Sequence, residues 1–240
     1  MLEKNDITVV AFDYGNTLIE FTQPQLAAQS VRLRTVLMDL YRDFEQEHLD
    51  EIRHAQILAP YARDFVENDI HEVSAELVRK LFNEEPPDEH IQQIIHTRRQ
   101  AFEDTVFLPE DVKPLLESLA GRYRLAFISN YPCGISIRNT LSSSGIEHLF
   151  ESTIISGEVG RIKPHPMIYD AMLDDMGVSA QEVVYIGDNW LADVQGAKRR
   201  GLKSIWTRQF VPYENFEEQE GDHQPDAVIE HIEELRDLLL

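Results

Sequence analysis

Cysteine is almost absent from this 240-residue chain: Cys133 is the only one. No intrachain disulfide can form, so an apolar core and hydrogen bonds must hold the fold, and a reducing compartment suits it. Long apolar runs are missing as well. None approaches the ~20 residues that cross a bilayer, and residues 1–6 are polar, without the apolar stretch of a signal peptide. A soluble, cytoplasmic protein with no membrane partner is the expectation. Basic residues are scarce: 22 Lys and Arg stand against 43 Asp and Glu, a formal net charge of −21. The densest basic cluster, Lys198-Arg199-Arg200, is three residues long and reads as a solvated helix face. A protein that neutralises nucleic-acid phosphates needs more, so no nucleic-acid partner is expected. Glycine is missing throughout 24–102, although the chain holds 11.

What is present is ordinary globular material. Hydrophobic residues make up 42%, and the length suits one large domain or a core with a smaller insert. The glycine-free stretch is rich in Leu, Ala, Gln, Glu and Arg. Val31, Leu33, Val36, Leu37, Leu40 and Tyr41 recur at near-helical spacing, and further helices are predicted near 51–62, 73–82 and 89–102. Pro86-Pro87 separates the last two. The block reads as an insert of about four helices.

On either side the pattern changes. A short β-rich apolar run covers 7–14. After Pro109, helices predicted at 112–119, 135–144, 166–176 and from the end of the fourth strand through Arg200 alternate with strands at 123–130, 152–156, 183–188 and 203–207. A last strand at 227–229 and a helix at 232–239 close the chain, and 209–225 reads as a polar surface loop. Repeated βα units of this kind predict a three-layer α/β core with a parallel sheet.

In open parallel sheets, ligands bind beyond the carboxyl ends of the strands. The first predicted strand ends in Asp13-Tyr14-Gly15-Asn16-Thr17-Leu18, the second in Ser129-Asn130. The third leads into a loop holding Glu158, Arg161 and Lys163, and the fourth ends in Asp188-Asn189, with Asp193 five residues past Asp188. One sheet edge thus gathers three carboxylates, one ammonium and one hydroxyl. Adjacent carboxylates repel unless a cation joins them, and Lys163 supplies one charge against three. A divalent metal corrects the excess, and hard oxygens with room left for a phosphate suit magnesium. A phosphate would then lie between metal, Lys163, Ser129 and backbone N–H groups at helix starts.

Four pieces in this order resemble the haloacid-dehalogenase superfamily. They are Phe12-Asp13-Tyr14-Gly15-Asn16-Thr17-Leu18, Ile128-Ser129-Asn130, Lys163-Pro164, and Gly187-Asp188 with Asp193 after four intervening residues. The resemblance covers the chain outside the insert, and it implies a Rossmann-like core over 1–20 and 105–240 with a helical cap over 21–104. It also implies roles. Asp13 attacks phosphorus and forms an aspartyl-phosphate. Ser129 hydrogen-bonds the transferring group, and Lys163 offsets negative charge. Asp188 ligates magnesium with Asp13 and the main-chain carbonyl of Gly15, and Asp193 supports the metal directly or through water. Asn16, Thr17, Asn130 and Asn189 lie where phosphate contacts are expected. The implied substrate is a small phosphorylated metabolite; the oligomeric state stays open.

Position 15 departs from the pattern. Phosphatases of this family carry there a second Asp that protonates the leaving group and then activates water; glycine can do neither. General acid–base catalysis is typically worth ~10²–10⁴-fold. Three other outcomes therefore stand beside phosphate-ester hydrolysis. A dehalogenase lacks the second Asp and needs no metal, although Gly187-Asp188 looks like the phosphatase form of the fourth motif. A phosphonate-cleaving enzyme needs a cap lysine, and Lys80, the only lysine in the insert, reads as a solvated helix residue. A binding protein that kept the fold but lost turnover is supported by Gly15 alone. His165 reads as a capping or surface residue, Glu158 as a support for the loop around Lys163, and Trp190 and Trp206 as core or rim aromatics.

Overall fold

Strand and helix alternate outside the glycine-free block, and the chain folds accordingly. The computed structural model describes residues 6–210 and 216–240; residues 1–5 and 211–215 lie outside them, so the loop expected over 209–225 is described only in part. The elements in order are β1 (Val9–Phe12), α1 (Gln23–Leu40), α2 (Gln46–Leu58), α3 (Ile70–Phe82), α4 (Asp88–Glu103), α5 (Val112–Ala120), β2 (Arg124–Ser129), α6 (Gly134–Ser143), β3 (Phe150–Ile155), α7 (Ser156–Val159), α8 (Pro166–Met176), β4 (Val183–Gly187), α9 (Gly196–Arg200), β5 (Lys203–Thr207), β6 (Ala227–Ile229) and α10 (Leu235–Leu239). All six strands are parallel, in the order β3-β2-β1-β4-β5-β6.

The sheet is buried on both faces, which is why its central strands read as unbroken apolar runs. Successive side chains still alternate. Val10, Phe12, Phe127, Val184 and Ile186 face α5 and α10, whose Leu115, Leu116, Leu235 and Leu239 are fully buried. Val9, Ala11, Ala126, Ile128 and Val183 face α8, through Ile168, Tyr169 and Met172. Each Val, Leu, Ile, Phe or Met among them contributes roughly 1.5–3 kcal/mol of burial.

The four helices α1–α4 lie between β1 and β2 in sequence and enclose an apolar cluster of their own: Leu33, Leu37, Leu49, Leu77, Val78, Phe82 and Ile94. Leu33 and Leu37 are the buried members of the periodic run; Val31, expected with them, is 61% exposed. Asp69 caps α3 by accepting from the His71 and Glu72 main-chain N–H groups at 2.8 and 3.0 Å. Where this insert meets the loop beyond β3, two segments pair like antiparallel strands. Glu67 N donates to Gly160 O at 3.1 Å and Ile162 N to Phe65 O at 2.9 Å. Among the described residues no helix is long and apolar enough to cross a membrane.

Candidate active site

Register brings the site together. β1 lies between β2 and β4, with Phe12 opposite both Phe127 and Ile186. Asp13 therefore leaves the sheet beside Ser129, the last residue of β2, and beside Asp188, the first past β4. The switch in strand order at β1 opens a crevice here. It continues under the insert as a cavity of about 320 Å³ lined by Asp13, Ser129, Lys163, Asp188 and Asp193, among others.

Asp13, Asp188 and Asp193 are all buried, and each offers an oxygen within 4.8 Å of the others. Among the described residues Lys163, 1% exposed, is the one cation paired with Asp13 and Asp193. Its Nζ donates to Asp13 Oδ1 at 2.5 Å, Asp193 Oδ1 at 2.7 Å and Tyr185 Oη at 2.8 Å. Asp193 spends its other oxygen on the Asn189 main-chain N–H at 2.9 Å. A π-helical turn, Trp190–Gln195, makes this possible by swinging Asp193 back against the end of β4. Gly187 makes room for it: a Cβ there would stand 2.3 Å from Asp193 Cγ.

With all three ionised, the carboxylates against one ammonium would leave an unbalanced charge of −2. Burial, with Asp193 adding to it, pushes the Asp13 carboxyl up to about 6 despite Lys163. Asp188 is driven well above the usual carboxylate range by burial, then by Asp13 and Asp193. Burial works against the Lys163 ammonium too, but Asp13 and Asp193 outweigh it and raise its pKa. The donor set is all hard oxygen, and its charge deficit is the one a divalent cation fills, so the residues fit magnesium.

The expected phosphate contacts divide by what their side chains already hold. Thr17 Oγ1 lies 3.5 Å from Asp13 Oδ2. Asn16, left-handed at φ 55°, accepts from Phe21 N at 2.9 Å and closes the turn after β1. Asn130 clasps the main chain of Lys163 at both ends of its amide, at 2.8 and 3.1 Å. Asn189 caps the π-helical turn by accepting from Ala192 N at 2.8 Å. Ser129 is buried and lines the cavity. Gly15 lines it as well, and a Cβ there would touch only Phe21, at 3.5 Å.

Residues outside the four pieces complete the picture. Lys80 is paired with Glu76 at 2.7 Å and is half exposed. His165 caps α8, its Nδ1 accepting from Met167 N at 3.2 Å. Glu158 binds Arg138 at 2.7 and 3.0 Å. The sequence reasoning missed Tyr185, which reaches Lys163 from inside β4, and Glu67, Arg53, Arg98 and Tyr131, which line the cavity. Period-two alternation could have singled out Tyr185 as a buried hydroxyl in need of a partner; the others carry no local signal.

A model of haloacid dehalogenase-like hydrolases matches residues 36–207, and the chain belongs to that family. It is 28% identical over 203 residues to a glyceraldehyde 3-phosphate phosphatase from Pyrococcus abyssi, covering 83% of this chain and 81% of that protein. It is 30% identical over 146 residues to the Methanopyrus kandleri protein of the same name, covering 58% of this chain and 61% of the relative's length. The crystal structure of a 2-haloacid dehalogenase from Pseudomonas syringae pv. Tomato superposes with a TM-score of 0.74 at 24% identity, covering 97% of each chain. The last comparison establishes the fold: a parallel sheet with helices on both sides.

Proposed function

We propose that this hydrolase cleaves a small phosphate monoester, using magnesium and a covalent aspartyl-phosphate on Asp13. The carrying observation is the charge imbalance around Asp13: three buried carboxylates within 4.8 Å and, among the described residues, a single ammonium. Attack on carbon would need no added cation there; attack on a phosphate dianion does. The phosphatase names of relatives such as the P. abyssi protein agree with this reading.

Asp13 and Asp188 would hold the ion with the main-chain carbonyl of Gly15. Asp193, both oxygens engaged by Lys163 and Asn189, would support it from outside. When bound, magnesium supplies positive charge to the transferring phosphoryl oxygens. Lys163 holds Asp13 Oδ1, which leaves Oδ2 to attack. The new bond is Oδ2–P, the bond that breaks is P–O to the substrate alcohol, and the leaving oxygen takes a proton from water. Water then attacks phosphorus, the Oδ2–P bond breaks, and Asp13 is regenerated with release of phosphate. The Ser129 hydroxyl and main-chain N–H groups beyond β1 and β2 orient the phosphoryl group. The helices over 21–104 would act as a cap that excludes water on closure. The free, buried Cys133 is in keeping with a cytoplasmic setting.

Hydrolysis of p-nitrophenyl phosphate by the purified protein tests the reading. Turnover should require magnesium, stop with chelator and vanish in Asp13→Asn; turnover indifferent to chelator would sink it. A second reading rests on Gly15: the position carries no acid, as in a dehalogenase. Chelator-resistant halide release from 2-chloropropionate would favour it.

A further inference from the structure

An aromatic wall stands where the cavity would receive a departing group. Gly15, two residues past Asp13, lines the cavity, and a Cβ there would meet the Phe21 side chain first, with its Cβ at 3.5 Å and Cδ1 at 3.8 Å. An acid at position 15 would act on the leaving oxygen, so this direction marks the leaving group's side. Two more rings follow Phe21. Its centroid lies 5.6 Å from that of Phe102, which lies 4.4 Å from that of Tyr131. All three residues line the cavity. Phe102 is buried in the middle, whereas Phe21 and Tyr131 are only partly covered. Main-chain bonds hold the outer two: Phe21 N donates to Asn16 Oδ1 at 2.9 Å and Tyr131 N to Ser156 Oγ at 2.8 Å. The row thus joins the turn after β1, helix α4 and the segment past β2.

Ring surface left uncovered inside a cavity gains from an apolar ligand, and rings pair with rings beyond that area effect. The insert's polar side chains in the same wall bind one another and the main chain. Gln56 donates to Val73 O at 2.9 Å, Asn68 to Gln56 O at 2.8 Å and Arg98 to Gln56 Oε1 at 3.1 Å.

Proton supply agrees. Apart from the three aspartates, Glu67 is the one carboxyl lining the cavity among the described residues. Both its oxygens are taken, by Asn68 N at 2.6 Å and by Ser156 Oγ. Burial holds the Tyr131 phenol above its ordinary range, so it keeps its proton. Without an acid beside it, the leaving oxygen departs as an anion, carrying the P–O bonding pair. A phenol-type oxygen does so more readily than an alkyl one, because the ring delocalises the charge.

We infer that the substrate is an aryl phosphate, a monoester whose leaving group is an aromatic alcohol seated against Phe21 and Tyr131, with Phe102 between them. The inference rests on the phosphate-ester reading above. Asp13 Oδ2 bonds to phosphorus as the P–O bond to the ring oxygen breaks, the aryloxide leaves, and water gives it a proton. A volume of about 320 Å³ is enough for one phosphate and one ring.

Phosphonates, which cannot be hydrolysed, test the seat apart from the chemistry. With magnesium present, calorimetry on the whole protein compares ethylphosphonate, (cyclohexylmethyl)phosphonate and benzylphosphonate. Benzylphosphonate should bind at least ~10-fold tighter than ethylphosphonate and at least ~3-fold tighter than the cyclohexyl compound. Equal binding of the benzyl compound and either of the others overturns the inference. In Tyr131→Leu the affinity for benzylphosphonate should fall at least ~3-fold more than that for ethylphosphonate; a parallel fall overturns it. If Tyr131→Leu does not fold, by thermal unfolding, Phe21→Leu carries the same comparison. Turnover gives a second readout: kcat/KM should climb at least ~10-fold from p-methoxyphenyl to p-nitrophenyl phosphate, as for a leaving group that no acid assists. A flat series would mean that a protein group protonates the leaving oxygen, and it overturns the inference. Ring-selective phosphonate binding without turnover of any ester would fail the phosphate-ester reading alone and support the ring seat; if no phosphonate binds, the inference falls too.

Discussion

Trp206 donates its indole N–H to the main-chain oxygen of Asp188 at 2.7 Å. Its ring meets Trp190 edge-on, with centroids 5.1 Å apart. The bond fixes the main chain where β4 gives way to the site, although Trp206 itself lies on β5. Trp206→Phe keeps most of the ring contact and deletes the donor. The loss should cost about 1 kcal/mol in urea unfolding. Groups that orient a metal ligand typically affect affinity ~10–100-fold, so the magnesium concentration for half-maximal activity should rise about tenfold. An unchanged magnesium requirement would mean that Asp188 does not depend on this bond.

Lys163 is the only cation touching Asp13 and Asp193 among the described residues. Lys163→Met leaves both carboxylates buried and uncompensated, which should destabilise the metal-free protein by about 3–5 kcal/mol. Adding Asp193→Asn to that variant should recover part of the loss. Denaturant midpoints of the parent, the single and the double variant check this; a double variant no more stable than Lys163→Met refutes the charge argument.

Gly15 occupies a position where a side chain fits. Its dihedral angles are open to any residue, and a Cβ would sit in ordinary contact with Phe21 at 3.5 Å. Gly15→Asp should therefore fold. It should raise kcat on ethyl phosphate by at least tenfold, toward the ~10²–10⁴ typical of acid–base catalysis, and change p-nitrophenyl phosphate turnover far less, because that leaving group needs little protonation. An unchanged rate on ethyl phosphate would mean that another group already performs the proton transfer.

Glu67 gives a pH-dependent stability. Burial raises its pKa against the lowering effect of hydrogen bonds from Ser156 and the Asn68 main chain. A carboxyl raised in the folded state binds more protons there than in the unfolded chain, so stability falls as pH rises through the interval between its two pKa values. Below 4.5, the ordinary value, the penalty disappears. Glu67→Gln should thus melt above the parent at pH 8, with the gap closing as pH falls to 4. A gap constant across that range contradicts the assignment.

Much of the scaffold was legible. Pro166–Met176 was readable to its ends, because Pro166 starts α8 and Gly177, at φ 63°, stops it. Lys203–Thr207 and Ala227–Ile229 also coincide with their apolar runs. Helix 51–62 begins five residues earlier, at Gln46, and ends as α-helix at Leu58, since Leu49 is the only apolar residue among its first five. The helix expected between the fourth strand and Gly201 is π-helical from Trp190 to Gln195. Periodicity cannot register that, because the extra residue per turn is driven by Asp193 packing on Gly187. Asp13, Ser129, Lys163, Asp188 and Asp193 were legible because each follows a readable strand or lies in the loop beyond one. Arg53 and Arg98 were not, because a guanidinium on an amphipathic helix looks the same whether it meets water or a cavity.

Sequence alone determined the strand–helix alternation, the place of the insert and the acids at the strand ends, because short-range hydrogen bonding and side-chain period write these locally. Only tertiary structure decided that Lys163 joins Asp13 to Asp193, that Tyr185 and Trp206 support the site from neighbouring strands, and that Arg53, Arg98 and Arg99 of the insert line the same cavity. Those contacts link residues up to 150 positions apart, and strand register and helix packing set them, which no local pattern encodes.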